Sequence, residues 1–160
     1  MVKVGDTIPE ATLKRVGESG IEDVPTKDLF SGRKVVLFGV PGAYTPTCSQ
    51  QHLPGYIQNA EAFRSKGVDA IACMAVNDPF VMKAWGASEG ADNKVILLSD
   101  GNAELTKAMG LDFDGSGAGL GLRCKRFAML VDNGVIKALQ VEDSPGVVER
   151  SGAEKLLEEI

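Results

Sequence analysis

The chain has 160 residues, of which 44% are hydrophobic, a size and composition that suit one compact domain spanning residues 1–160. A formal net charge of -5 and a pI near 4.9 set it against the phosphate backbone of nucleic acid, which is excluded as an expected partner. Met1 to Pro9 lacks the apolar run of a signal peptide and the apolar stretch Val35 to Val40 is far short of a membrane span, so a cytosolic chain with no membrane partner is expected.

In chain order, Lys34 to Val40 is apolar and β-branched between Gly32 and Pro41-Gly42, which predicts a central strand buried on both faces. Thr45-Pro46-Thr47-Cys48 then reads as a helix start, with Thr45 as cap and Pro46 at the first helical position, and the helix is expected to run to about Ser65. Ala70 to Val76 predicts a second buried strand. It leads through Asn77-Asp78-Pro79 into a helix carrying Phe80, Val81, Ala84 and Trp85, with Phe80 and Trp85 expected in the core. This β-α-β order implies a parallel sheet.

A strand over Val95 to Leu98, a short helix over Ala103 to Met109 and a flexible glycine-rich loop over Asp112 to Gly121 follow. Arg126 to Val131 and Val135 to Val141 flank Asp132-Asn133-Gly134, a hairpin signal, and Ala153 to Ile160 predicts a closing amphipathic helix. The class is α/β, a parallel sheet with an antiparallel edge.

The three cysteines, Cys48, Cys73 and Cys124, form no close pair and suit a reducing compartment. Cys48-x-x-x-His52 uses the only histidine, so no zinc cluster is expected. Cys48 falls in the first turn of its helix, where unpaired amides and the dipole favour an anion. An ordinary cysteine thiol, with a pKa of about 8.5, is only about 3% ionised at pH 7, and a useful nucleophile needs a shift of roughly two units, or about 2.7 kcal/mol. The helix dipole supplies about 0.3–1 kcal/mol, so a cation is required nearby. The candidates lie in Arg123-Cys124-Lys125-Arg126, where strand alternation places Cys124 and Arg126 on one face and Arg123 and Lys125 on the other. A bland reading of Cys48 as a packed core thiol stands beside the catalytic one.

The segment Pro41-Gly42-Ala43-Tyr44-Thr45-Pro46-Thr47-Cys48 resembles the active-site segment of the peroxiredoxins, Pro-x-x-x-Thr-x-x-Cys. Phe38-Gly-Val-Pro-Gly-Ala43, His52-Leu-Pro-Gly55, Val76-Asn-Asp-Pro-Phe80 and Lys125-Arg-Phe-Ala128 are similar to the type II, peroxiredoxin-5-like subfamily. The resemblance implies a thioredoxin-like fold, a mixed sheet flanked by helices with an N-terminal extension, and a peroxidase acting on hydrogen peroxide and organic hydroperoxides without cofactor or metal. It implies that Cys48 is the peroxidatic cysteine, that Thr45 and the Cys48 backbone N–H donate to the peroxide, that Arg126 holds thiolate and peroxide, and that Pro41 shields the pocket. It further implies a homodimer formed through the Tyr44 loop and the Phe80 region, and glutathione, glutaredoxin or thioredoxin as reductant. Cys73 stands where many subfamily members place a second cysteine and resembles a resolving residue. Its place in a buried strand equally fits a packed thiol. Cys124 is expected to be structural.

Other motifs are weaker. Gly115 to Gly121 lacks dinucleotide-loop spacing and leads into a strand, and Asp112 to Gly117 lacks the closing glutamate of a calcium loop because Arg123 occupies that place. His52, one turn beyond Cys48, is expected to pack or to lie at the surface. A dithiol reductase would carry cysteine where Thr45 stands, and a non-enzymatic chaperone-like module would not need Cys48, Thr45 and Arg126 together.

Overall fold

A computed structural model describes residues 1–160. Seven strands form one sheet in the order β2 (Gly20–Pro25), β1 (Thr12–Gly17), β5 (Ile96–Ser99), β4 (Ala70–Ala75), β3 (Lys34–Gly39), β8 (Phe127–Asp132) and β9 (Val135–Val141). The buried runs of the sequence make its middle: β3 (Lys34–Gly39), β4 (Ala70–Ala75) and β5 (Ile96–Ser99) are parallel, as their apolar character on both faces requires. β8 (Phe127–Asp132) and β9 (Val135–Val141) extend the sheet antiparallel, joined by Asn133 (φ 49) and Gly134 (φ 81), the two positive-φ positions of a tight hairpin.

The other edge is a hairpin of β1 (Thr12–Gly17) and β2 (Gly20–Pro25), followed by the short helix α1 (Thr26–Phe30). The resemblance implied an N-terminal extension here, and the sequence marked none of its elements. β2 is largely exposed, so it has no buried face to print a period of two on the sequence.

Two core layers sandwich the sheet. One contains Phe38, Cys48, Tyr56, Phe63, Cys73 and Trp85 beneath α2 (Leu53–Gln58), α3 (Ala60–Ser65), α4 (Pro79–Glu89) and α6 (Ala153–Glu159). The other contains Leu37, Met74, Leu105, Cys124 and Phe127 beneath α1 and α5 (Glu104–Ala108). α4 starts as expected, with Pro79 in the first turn and the Asp78 carboxylate accepting from the Val81 N–H at 2.9 Å. Trp85 is fully buried, whereas Phe80 is 60% exposed, against the expectation of a core residue.

Two other expectations need correction. The glycine-rich segment is not a free loop: β6 (Asp112–Asp114) pairs with β7 (Leu122–Cys124), and the Gly115 N–H donates to the Gly121 carbonyl. The helix expected over residues 45–65 is also interrupted. It widens into a π-helical turn over Cys48–His52, with the Leu53 N–H donating to the Cys48 carbonyl, and breaks again at Asn59. Pro54 supplies a physical reason, since its ring crowds the carbonyl four residues back and it has no N–H to donate.

Candidate active site

The register of β3 against β8 builds the site. Gly39 lies opposite Phe127, so the chain leaving β3 at Val40-Pro41 meets the chain entering β8 at Arg126. Gly39 must be glycine because a Cβ there would fall 2.2 Å from the Phe127 ring. Ala128 and Leu130 share the core layer of Cys48, and alternation carries Arg126 onto that face.

Cys124 does not follow. β7 ends at Cys124 and β8 begins at Phe127, and across this break Cys124 sinks into the opposite layer with Phe127 and Met129. The expected shared face of Cys124 and Arg126 is therefore wrong, because alternation holds only within a continuous strand. Burial pushes the Cys124 thiol up, as for a packed thiol.

Cys48 and Arg126 meet in a nearly sealed pocket, at 0% and 2% exposure. Arg126 Nη2 donates to Cys48 Sγ at 3.0 Å and to the Pro145 carbonyl at 2.9 Å, and Nε donates to that carbonyl at 3.1 Å. Arg126 Nη1 pairs with His52 Nδ1 at 2.9 Å, and His52 Nε2 pairs with the Ser151 carbonyl at 2.9 Å. Since a guanidinium and a carbonyl leave no choice of roles, His52 is neutral, accepts at Nδ1 and donates at Nε2. Burial first, then the Arg126 charge, lower its pKa to about 3.

His52 is thus no bystander, and the sequence carried one signal for it, its position one helical turn beyond Cys48. A measurable consequence follows from its neutrality. An unfolded histidine titrates near 6.5, so as pH falls from about 6.5 toward 3 the unfolded chain takes a proton that the folded one refuses. This stabilisation is complete above about pH 6.5 and is lost progressively below it. Denaturant unfolding between pH 7 and 4.5 should show wild type losing stability faster than His52→Asn; parallel loss would contradict a buried neutral imidazole.

The Thr45 backbone caps the helix, its carbonyl accepting from the Ser49 N–H at 3.0 Å. Its hydroxyl does not cap; it donates to the Gly42 carbonyl at 2.7 Å. The hydroxyl proton is therefore committed, which leaves the Thr45 oxygen as an acceptor where a donor was expected. The Cys48 N–H donates to no protein acceptor and remains available, as the helix start implies. Pro41 is buried, and its carbonyl accepts from Arg123 Nη1 at 3.3 Å. Arg123, one of the cations the sequence offered for Cys48, serves the loop instead: its side chain packs 2.7 Å from where a Cβ of Gly42 would lie and braces the turn through the Pro41 carbonyl. Tyr44 sits at φ 66, a costly conformation for a residue with a side chain, and is 54% exposed.

Cys73 lies in β4 beside Phe38, fully buried and unpaired. Burial, then the Cys48 sulfur, hold its thiol well above the ordinary range.

This arrangement has relatives. The sequence matches the Redoxin family over residues 3–157. It is 51% identical over 161 residues to the chloroplastic peroxiredoxin-2E-2 of Oryza sativa subsp. japonica, covering 98% of this chain and 71% of that protein. The chain is a peroxiredoxin. The crystal structure of reduced Prx3 from Vibrio vulnificus in complex with H2O2 superposes with a TM-score of 0.94 at 50% identity, covering 99% of each chain. Peroxiredoxin 5 from Alvinella pompejana superposes with a TM-score of 0.86 at 35% identity, covering 99% of this chain and 97% of that one. These likenesses assign the peroxiredoxin to the type II, peroxiredoxin-5-like subfamily, with a thioredoxin-like fold and thiol-dependent peroxidase activity. A peroxide is its substrate and a thiol its reductant.

Proposed function

We propose that this peroxiredoxin reduces hydrogen peroxide and organic hydroperoxides through a sulfenic acid on Cys48, with Arg126, Thr45 and Pro41 forming the reacting pocket. The observation that carries this reading is a guanidinium 3.0 Å from a buried sulfur, held in place by a carbonyl and a neutral imidazole. Arg126 forms none of the six ion pairs, so its charge is not spent on a carboxylate and acts on the sulfur at short range.

The Cys48 thiolate attacks the hydroxyl oxygen of the peroxide along the O–O axis. The S–O bond forms as the O–O bond breaks, sulfur gives up two electrons, and the leaving alkoxide or hydroxide takes a proton from solvent. Arg126 and the Cys48 N–H stabilise the charge as it moves between sulfur and oxygen. Thr45, with its own proton committed to Gly42, accepts the peroxide O–H and selects the protonated substrate. Pro41 keeps water from the sulfur, and sulfur itself carries the electrons without metal or organic cofactor.

Regeneration falls to an external thiol, from glutathione, glutaredoxin or thioredoxin, which condenses with the sulfenic acid and releases water. Cys73 is a poor partner because its sealed, raised thiol supplies little thiolate. Tyr44 and Phe80, exposed at 54% and 60%, support a homodimer in which these aromatics are covered. Three unpaired thiols fit a reducing compartment such as the cytosol.

Mass spectrometry after one equivalent of peroxide tests the cycle. The expected product is a dimedone-trappable sulfenic acid on Cys48 in both wild type and Cys73→Ser. A Cys48–Cys73 disulfide, within one chain or between two, that forms only when Cys73 is present would instead make Cys73 the resolving residue.

A further inference from the structure

Glu142 lies just past β9, and its N–H donates to the Arg126 carbonyl at 2.9 Å, so the two residues are neighbours across the end of the hairpin. Opposite charges placed this way ordinarily pair. Here they do not: Glu142 turns away, and its Oε2 accepts from the N–H groups of Glu149, Arg150 and Ser151 at 3.0, 2.8 and 2.7 Å and from the Ser151 hydroxyl at 2.6 Å. These bonds close residues 143–151 into a strap.

The strap carries the acceptors that aim the active-site side chains. Its Pro145 carbonyl receives two donors from Arg126, its Gly146 carbonyl receives the Thr47 hydroxyl, and its Ser151 carbonyl receives both His52 and the Tyr56 hydroxyl at 2.7 Å. Residues 143–150 bury no side chain fully, so the strap has little apolar anchoring of its own. Its fastening is polar, and Glu142 supplies the largest share of it.

We propose that Glu142 is a positioning residue for the peroxidase reaction: by holding the 143–151 strap it fixes the Pro145 and Ser151 carbonyls that orient Arg126 and His52 toward Cys48. This rests on the reading of Arg126 as the cation that serves the thiolate. The carboxylate also has its own neutral donors, which is why it does not discharge the guanidinium beside it. Burial opposes its ionisation, but the bonds from Ser151, Arg150 and Glu149 outweigh that and hold its pKa below the usual range, so it is a carboxylate throughout the working range.

The direction of the pH effect separates positioning from simple charge. A negative group that acted only through space would disfavour the thiolate, so its removal would shift the pH midpoint of peroxide reduction downward. Loss of a positioning group does the opposite. Single-turnover peroxide consumption, measured against pH, should show Glu142→Ala slower by roughly 10- to 100-fold at pH 7, with the midpoint raised by about one unit and faster amide exchange at residues 149–151. Glu142→Gln, which keeps a neutral acceptor, should fall between Ala and wild type.

Should the Ala protein fail to fold, Glu142→Gln and Ser151→Ala carry the same comparison. A wild-type profile, or a midpoint moved downward, in a folded Glu142 variant overturns the proposal. Arg126→Met run beside them separates the two ideas: a wild-type profile there overturns the cation reading and this one with it, whereas a shifted Arg126→Met beside an unshifted Glu142→Ala overturns only the role of Glu142.

Discussion

Arg126→Met is expected to slow peroxide reduction at pH 7 by roughly 10²- to 10³-fold, with the pH midpoint of the rate displaced upward. A unit charge about 4 Å from a thiolate, at an effective dielectric of about 20, is worth about 4 kcal/mol before desolvation is subtracted. Arg126 Nη2 stands 3.0 Å from the Cys48 sulfur, inside that range, and both groups are buried beyond the reach of salt screening. Part of the loss should return at alkaline pH, where the thiolate forms unaided. The rest should not, because in the proposed mechanism the guanidinium also stabilises charge moving onto the leaving oxygen.

Arg126→Lys is the informative control. A lysine restores the charge, but it has no planar fork with which to reach Pro145, His52 and Cys48 together, so only partial recovery is expected. Stopped-flow consumption of peroxide from pH 5 to 10, with denaturant unfolding run alongside, distinguishes lost activation from lost fold. An unaltered profile in Arg126→Met would remove the electrostatic basis of the mechanism.

The second large effect is at the sulfur. Cys48→Ser should reduce peroxide consumption to the uncatalysed level at every pH, because a serine hydroxyl neither ionises usefully nor accepts an oxygen atom from a peroxide. Its fold should survive. Serine is nearly isosteric and its oxygen can accept from Arg126 Nη2, so the cost is about 1–2 kcal/mol for a hydroxyl in an apolar layer. Residual turnover in Cys48→Ser that then disappears in the Cys48→Ser/Cys73→Ser double variant would move the reactive thiol to β4.

Much of the site was written in local sequence. A thiol three residues past a capping threonine and two past a proline is a helix-start cysteine wherever it occurs, and the Asn133-Gly134 turn, the Pro79 helix start and the buried runs of β3 and β4 are equally local, since each depends on backbone preferences of a few residues. The requirement for a cation also followed from the thiol alone, and Arg126 was among its few candidates.

Tertiary structure decided which partners close the circuit. His52, Pro145, Ser151 and Glu142 reach Arg126 or its neighbours across 74, 19, 99 and 9 residues of chain, respectively to Arg126, Arg126, His52 and Ser151. Two of these contacts, Pro145 and the Ser151 acceptor, are backbone carbonyls, which every residue possesses and no sequence pattern marks. The direction of the Thr45 hydroxyl and the layer taken by Cys124 were hidden for a related reason: one turns on a nearby carbonyl, the other on a break between two strands, and both are settled only when the chain packs. Local chemistry named the nucleophile, while packing determined what stands around it, because hydrogen-bond partners distant in sequence are chosen by the fold.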